Sequence, residues 1–242
     1  MRKNNFICAI MNNKVKVSTE QIQEETQRFI VKVYGWMALA LVITGIISYW
    51  TSLNPDIVIY LVKSEYVFIG LLILEIILVA YLVKWIMKMS SQTATLIFIL
   101  YSMLNGLTLS VVFLVYTTDS IVSTFLITAG MFAVMSFYGY FTKSDLTSWG
   151  NILFMGLLGL IAASFMNFFY RNNTFSLVTN IAGVIIFTGL IAYDTQKIKN
   201  INIIGNEGTD EDKKEAIIGA LSLYLDFINL FLRLLRLLGR KK

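Results

Sequence analysis

Residues 66–87 read YVFIGLLILEIILVAYLVKWIM, an apolar run interrupted by Glu75 near its middle and Lys84 near its end. Crossing about 30 Å of hydrocarbon takes roughly 20 residues of helix, and this run is long enough. Six more candidates follow the same reading: Tyr34–Tyr49, Thr95–Tyr116, Ile121–Phe141, Ile152–Phe169, Leu177–Ile198 and Ala216–Leu238. A membrane β-barrel would show alternating segments of roughly ten residues; these runs are continuously apolar, so they are read as helices. The sequence therefore predicts an all-α membrane protein, a seven-helix transmembrane bundle.

Composition points the same way. Of 242 residues, 57% are hydrophobic and 14% charged, and the mean hydropathy is +0.70. A soluble domain runs nearer 45–50% apolar and about 25% charged, because it must cover itself with polar surface. Lipid accepts what water would not. The chain contains no histidine, which removes zinc sites, Ser-His-Asp triads and histidine-ligated haem from consideration. Cys8 is the single cysteine, so no intrachain disulfide forms. The net charge of +5 is no nucleic-acid footprint, since the bases sit at the ends of apolar runs and in the tails. No cofactor is expected.

Residues 1–28 read as a polar lead-in, 29–239 as the seven-span domain and 240–242 as a basic tail. The stretch Phe6–Met11 is too short for a signal-peptide core, so the first span is expected to act as an uncleaved anchor. Connections such as Thr117–Asp119, Thr142–Ser148 and Arg171–Thr174 are short and polar, which implies an up-down bundle of antiparallel neighbours. The longest, Asn202–Lys214, is the loop expected to be large enough to move.

The bases set an orientation. With the N-terminus inside, the inner segments carry Arg2, Lys3, Lys14, Lys16, Arg28, Lys32, Lys84, Lys88, Lys143, Lys197, Lys199, Lys213 and Lys214, while the outer loops carry Lys63 and Arg171. This is a positive-inside pattern. The C-terminal Arg233, Arg236, Arg240, Lys241 and Lys242 run against it, so the seventh segment either spans regardless or enters and returns.

Carboxylates inside apolar runs are costly and so mark candidate functional sites. Glu75, Asp194 and Asp226 qualify. The plainer readings are an interfacial acid for Asp194, with Lys197 and Lys199 beyond it, and a hydrogen-bonded structural acid for Glu75. At ~100° per residue, Ser222, Asp226, Asn229, Arg233, Arg236 and Arg240 share a sector of roughly 80°, opposite Leu, Tyr, Phe and Ile. Such a stripe lines a water-accessible path inside a bundle or, in a helix lying flat, faces headgroups. A carboxylate among the bases favours the first. Asn105, Asn167 and Asn180 are expected to bond between helices, Gly159 with Ala163 fits small-residue packing, and Asn172-Asn173-Thr174 matches a glycosylation acceptor.

The sixth-span ending IAYDTQKIK and the seventh-span LSLYLDFINLFLRLLRLLG resemble the transmembrane Bax-inhibitor-motif family, including its bacterial calcium-leak members, over residues from about 28 to 239. The resemblance implies six helices around a central C-terminal seventh. It also implies a pH-sensitive calcium leak gated by an aspartate pair matching Asp194 and Asp226, with stress and cell-death control among eukaryotic members. An acid in the second span matches Glu75, so calcium would meet Asp194, Asp226 and Glu75. Where bacterial relatives carry arginines that latch onto the sixth-span aspartate, this chain offers Lys84 and Lys88, which cannot pair bidentately. Asn229 and Arg233 complete the candidates for an ion path or latch.

Two carboxylates a few ångströms apart in a low dielectric do not both ionise cheaply, so a facing pair would share a proton. Calcium suits such a site through its preference for hard oxygen ligands. Without histidine, a pH response near neutrality must come from carboxylates. The implied partners are the bilayer, calcium and protons, with a bacterial plasma (inner) membrane as the expected location and the N-terminus cytoplasmic. A non-conducting regulator working through protein partners and a proton-coupled transporter are the alternatives. An intramembrane aspartyl protease is disfavoured: LYLD replaces its second motif, and Pro55 is the sole proline. No catalytic residues are expected.

Overall fold

The computed structural model describes residues 19–170, 172–201 and 203–242, and is helical with no strand among them. The lead-in basic residues Arg2, Lys3, Lys14 and Lys16, Cys8, Phe6–Met11, Arg171 and Asn202 lie outside the described residues. The helices are α1 (Thr19–Ser52), α2 (Pro55–Lys63), α3 (Glu65–Trp85), α4 (Ser91–Leu109), α5 (Val112–Val115), α6 (Thr118–Phe141), α7 (Thr147–Tyr170), α8 (Asn173–Ile201) and α9 (Asp210–Leu238). Seven of these segments are long and apolar enough to cross a membrane: all but α2 and α5, with the α3 candidate running to Lys88 and the α4 candidate to Val115. Their helical backbone groups bond within each segment, which is what a waterless environment demands. Large side chains such as Ile46, Ile76, Leu96, Leu126 and Met155 stand exposed around the bundle, where only lipid would accept them.

The sequence reading misplaces several boundaries. The helix that carries the first span begins at Thr19, within the polar lead-in and well before the apolar run. Pro55 starts an unexpected short helix in the first connection, at the helical position where its missing N–H costs nothing. The third apolar run breaks at Ser110, whose backbone N–H bonds to Gly106 and Leu107 before α5 begins. The seventh segment does not enter and return: α9 is one helix of 29 residues, about 43 Å long. Thr209 caps it by accepting from the Asp212 N–H at 3.2 Å.

Helix α9 is the axis of the bundle. It packs on α8, α1, α6 and α4, and 67% of its most apolar stretch is buried, against 39% or less for the other six. Leu223, Tyr224, Leu230 and Leu235 are at most 1% exposed. Neighbours in sequence are not always neighbours in space, as α6 and α7 both pack on α8 and α1 packs on α4. The close approaches are made by glycines other than Gly159, which has nothing within 4 Å. A Cβ on Gly139 would lie 2.2 Å from the Ala192 carbonyl oxygen, so α6 meets α8 backbone to backbone there.

Both ends of α9 are tied down. At its N-terminal end, Arg28 grips Glu207 through two hydrogen bonds of 2.8 and 3.0 Å. Lys32 pairs with the buried Asp212 at 2.5 Å. Lys214 pairs with Asp210 at 2.6 Å, and Asp210 also accepts from the Ser91 N–H at 2.9 Å. The connection expected to move is thus shorter than Asn202–Lys214 and clasped to α1 and α4. Gly205 and Gly208, at φ 92° and 82°, supply its left-handed turns. At the opposite, far end the basic tail is not free either: Tyr116 and Lys241 form a two-residue bridge, and the Arg240 N–H donates to Ser120 at 2.9 Å.

Candidate functional site

Asp194 lies on α8, two turns before its end, and Asp226 near the middle of α9. Their carboxyls face each other within hydrogen-bonding reach. Asp226 is 6% exposed, and its Oδ2 finds no other donor among the described residues. Ionised carboxylates only accept, so this contact is a hydrogen bond when one of the two carries a proton. Lys197, one turn beyond Asp194, is the nearest described cation to the pair along α8 and lies over the Tyr193 ring at 5.9 Å.

The pair opens onto a cavity of about 480 Å³ between α7, α8 and α9. Ser222, Asp226, Asn229 and Arg233 line it together, so these four residues of the last helix's polar stripe share one cavity with α7 and α8. The stripe ends there, because Arg236 and Arg240 are exposed. Arg233 reaches across to both neighbours: one guanidinium nitrogen donates to Asn180 Oδ1 and another to Ser164 Oγ, each at 3.2 Å.

Glu75 is not part of this cavity. It is 8% exposed and held by α4, with Thr108 Oγ1 donating to Oε1 at 2.5 Å and Asn105 Nδ2 lying 3.5 Å from Oε2. Asn105 continues to the Tyr101 hydroxyl at 3.4 Å, and the Tyr101 ring stands edge-on to Tyr224. The Tyr224 hydroxyl meets Thr44 at 2.7 Å, and Thr44 donates to the Ser102 carbonyl at 2.9 Å. Tyr224 and Asp226 are two residues apart and so point to opposite sides of α9. The central helix therefore separates two polar centres, and the expected convergence of three acids does not occur: among the described residues no three metal-binding side chains gather.

Lys84 and Lys88, the candidate latch, stand apart from the aspartate pair here. Both are exposed, neither lines the cavity, and Lys84 lies 4.7 Å over the ring of Trp85. Of the expected interhelical asparagines, Asn105 and Asn180 bond between helices as described, while Asn167 Oδ1 has no partner among the described residues. Asn172, the glycosylation candidate, accepts from the Thr174 and Phe175 N–H groups at 2.9 and 3.1 Å and so caps α8. Sequence reasoning missed Tyr224, Thr44 and the ion pairs at the clasp. The bases Arg28 and Lys32 and the acids Glu207 and Asp212 were the available signal for the last.

Six apolar helices around a buried seventh, with a carboxyl pair facing a cavity between the last three of them, define an integral, multi-pass α-helical membrane protein. The chain belongs to the Bax inhibitor family: residues 26–242 match the family described as Inhibitor of apoptosis-promoting Bax1. It is 48% identical over 218 residues to the Inner membrane protein YbhL of Escherichia coli K12, covering 89% of this chain and 93% of that protein. An uncharacterized protein of Borreliella burgdorferi is 44% identical over 215 residues, covering 89% and 93%. The uncharacterized protein RP147 of Rickettsia prowazekii is 41% identical over 220 residues, covering 90% and 92%.

Proposed function

We propose that this protein is a calcium leak channel whose path runs through the α7–α8–α9 cavity and whose opening is set by the proton between Asp194 and Asp226. The observation that carries the reading is the facing of those two carboxyls inside the bundle, with Oδ2 of Asp226 lacking any other donor among the described residues. With one proton shared, the hydrogen bond holds α8 against α9 and leaves one negative charge. With both ionised, the like charges repel at short range, water enters, and the oxygens become ligands for a hard divalent cation. A shift of a few kcal/mol between two packings is within reach of one such change. Leak therefore rises as pH rises through the titration of the pair.

The reading takes the clasp end as cytoplasmic, because Arg28, Lys32, Lys84, Lys88, Lys143, Lys197, Lys199, Lys213 and Lys214 gather toward it. It also takes the inner membrane as the location, by analogy with the Inner membrane protein YbhL of Escherichia coli. The test is calcium entry into liposomes carrying the purified protein, followed with an entrapped dye between about pH 5 and about pH 8. Flux that grows with pH supports a gated leak. Flux that requires a second solute points to a proton-coupled transporter, and no flux at any pH points to a non-conducting regulator acting through protein partners.

A further inference from the structure

We propose that Arg233 is the cation barrier of the cavity, a fixed positive charge that a calcium ion must pass between the aspartate pair and the far end of the bundle. This rests on the reading of the cavity as a calcium path.

Four charged side chains line the cavity: Asp194, Asp226, Lys197 and Arg233. Lys197 stands toward the clasp end and is exposed. Arg233 stands on the other side of the pair, seven residues beyond Asp226 on the same face of α9, or about 10 Å toward the far end. A guanidinium stays protonated throughout the accessible pH range, so this charge does not switch. Its hydrogen-bond partners, Asn180 and Ser164, are both neutral, and no carboxylate forms an ion pair with it among the described residues. The neighbouring Arg236 adds to the positive potential.

The surroundings are built to hold the guanidinium in place. Asn180 and Gly183 come from α8 and Ser164 from α7, so three helices meet at this side chain. A Cβ on Gly183 would fall 2.9 Å from Cδ and 3.0 Å from Nε of Arg233, which means the glycine leaves the room that the arginine fills. A half-buried cation with a shaped seat and no counter-ion is hard to explain as a stability device, because desolvating it without a carboxylate is unfavourable. It has a use in a cation path. About 10 Å beyond the carboxyls, it repels a divalent cation that approaches or leaves the pair by the far end, and no lining carboxylate other than the aspartate pair offsets it.

The test is calcium flux and potassium-over-chloride selectivity in proteoliposomes for Arg233→Lys, Arg233→Gln and Arg233→Glu beside wild type. The expected order of leak at the acidic end of the range follows charge: wild type and Lys lowest, Gln higher by on the order of tenfold, Glu higher again. Cation selectivity should rise in the same order. Gly183→Ala keeps the charge but pushes the guanidinium off its seat, so it should raise the acid-range leak less than Arg233→Gln. A leak that is the same in all three Arg233 variants as in a conducting wild type overturns the barrier and leaves the path reading standing. So does a leak that tracks loss of folded protein and not charge. A wild type that passes no calcium removes the path and the barrier together.

Discussion

Lys32 and Asp212 lie 180 positions apart in the chain and meet in an ion pair of 2.5 Å at the clasp end of the bundle. Asp212 is 1% exposed and accepts in addition from the Gly208 N–H at 2.8 Å. One acid therefore joins the first span, the loop before the last span and the start of that span. Truncating Lys32 leaves a buried charge with half its partners. We expect Lys32→Ala to destabilise the folded protein by about 2–4 kcal/mol, with Lys32→Ala/Asp212→Asn costing less than Lys32→Ala alone. Thermal unfolding in detergent reads both. A Lys32→Ala protein as stable as wild type would show the pair to be idle.

The Glu75 centre makes a different prediction. Its carboxyl is held by Thr108 and Asn105 away from the aspartate cavity. Thr108→Val should cost about 1–3 kcal/mol by leaving a buried oxygen without its donor. Glu75→Gln should keep the pH dependence of calcium flux, because the group stands outside the proposed gate. Loss of that dependence in Glu75→Gln would place it in the gating machinery.

Gly139 of α6 lies against the backbone of Ala192 of α8, two residues before Asp194. Gly139→Ala must move backbone and not a flexible side-chain tip. The expected cost is about 1–3 kcal/mol, and the displaced α8 should also shift the midpoint of the pH response. A stable variant with an unshifted midpoint would contradict that coupling.

Outside the membrane, Asp145 before α7 accepts from Thr147 through the backbone N–H at 2.9 Å and the hydroxyl at 2.6 Å. Those bonds favour the ionised form and hold the carboxyl below its usual range. A depressed folded value means the contribution is present above the unfolded value and disappears as pH falls through the folded one. Asp145→Ala should therefore lower the melting temperature slightly at neutral pH, with the difference vanishing in strong acid. A difference that persists unchanged in acid would show that the carboxylate charge is not its source.

The seven spans were legible because a continuous apolar run of about 20 residues has few other homes. Asp194 and Asp226 were legible for the same reason in reverse, as acids where acids are expensive. What escaped notice depends on how helices come together. Nothing in LLILEIIL says that Glu75 faces Thr108 on the next span and not the cavity behind α9, since each span offers a full turn of directions. Direction was hidden for the lysines too: Lys84 and Lys88 have the right charge at a helix end, and the sequence does not say that both are exposed. The helical start at Thr19 and the clasped loop were hidden because their polar residues look unstructured until Arg28, Lys32, Glu207 and Asp212 are seen as partners.

Calcium entry into liposomes for Asp194→Asn and Asp226→Asn, beside wild type and across the acid-to-neutral range, bears most directly on the account. An asparagine at either position donates an N–H to the remaining carboxyl without needing a shared proton, so both variants should leak slowly and at a rate that no longer follows pH. Two variants that leak like wild type, with its pH dependence intact, would contradict the proposed gate.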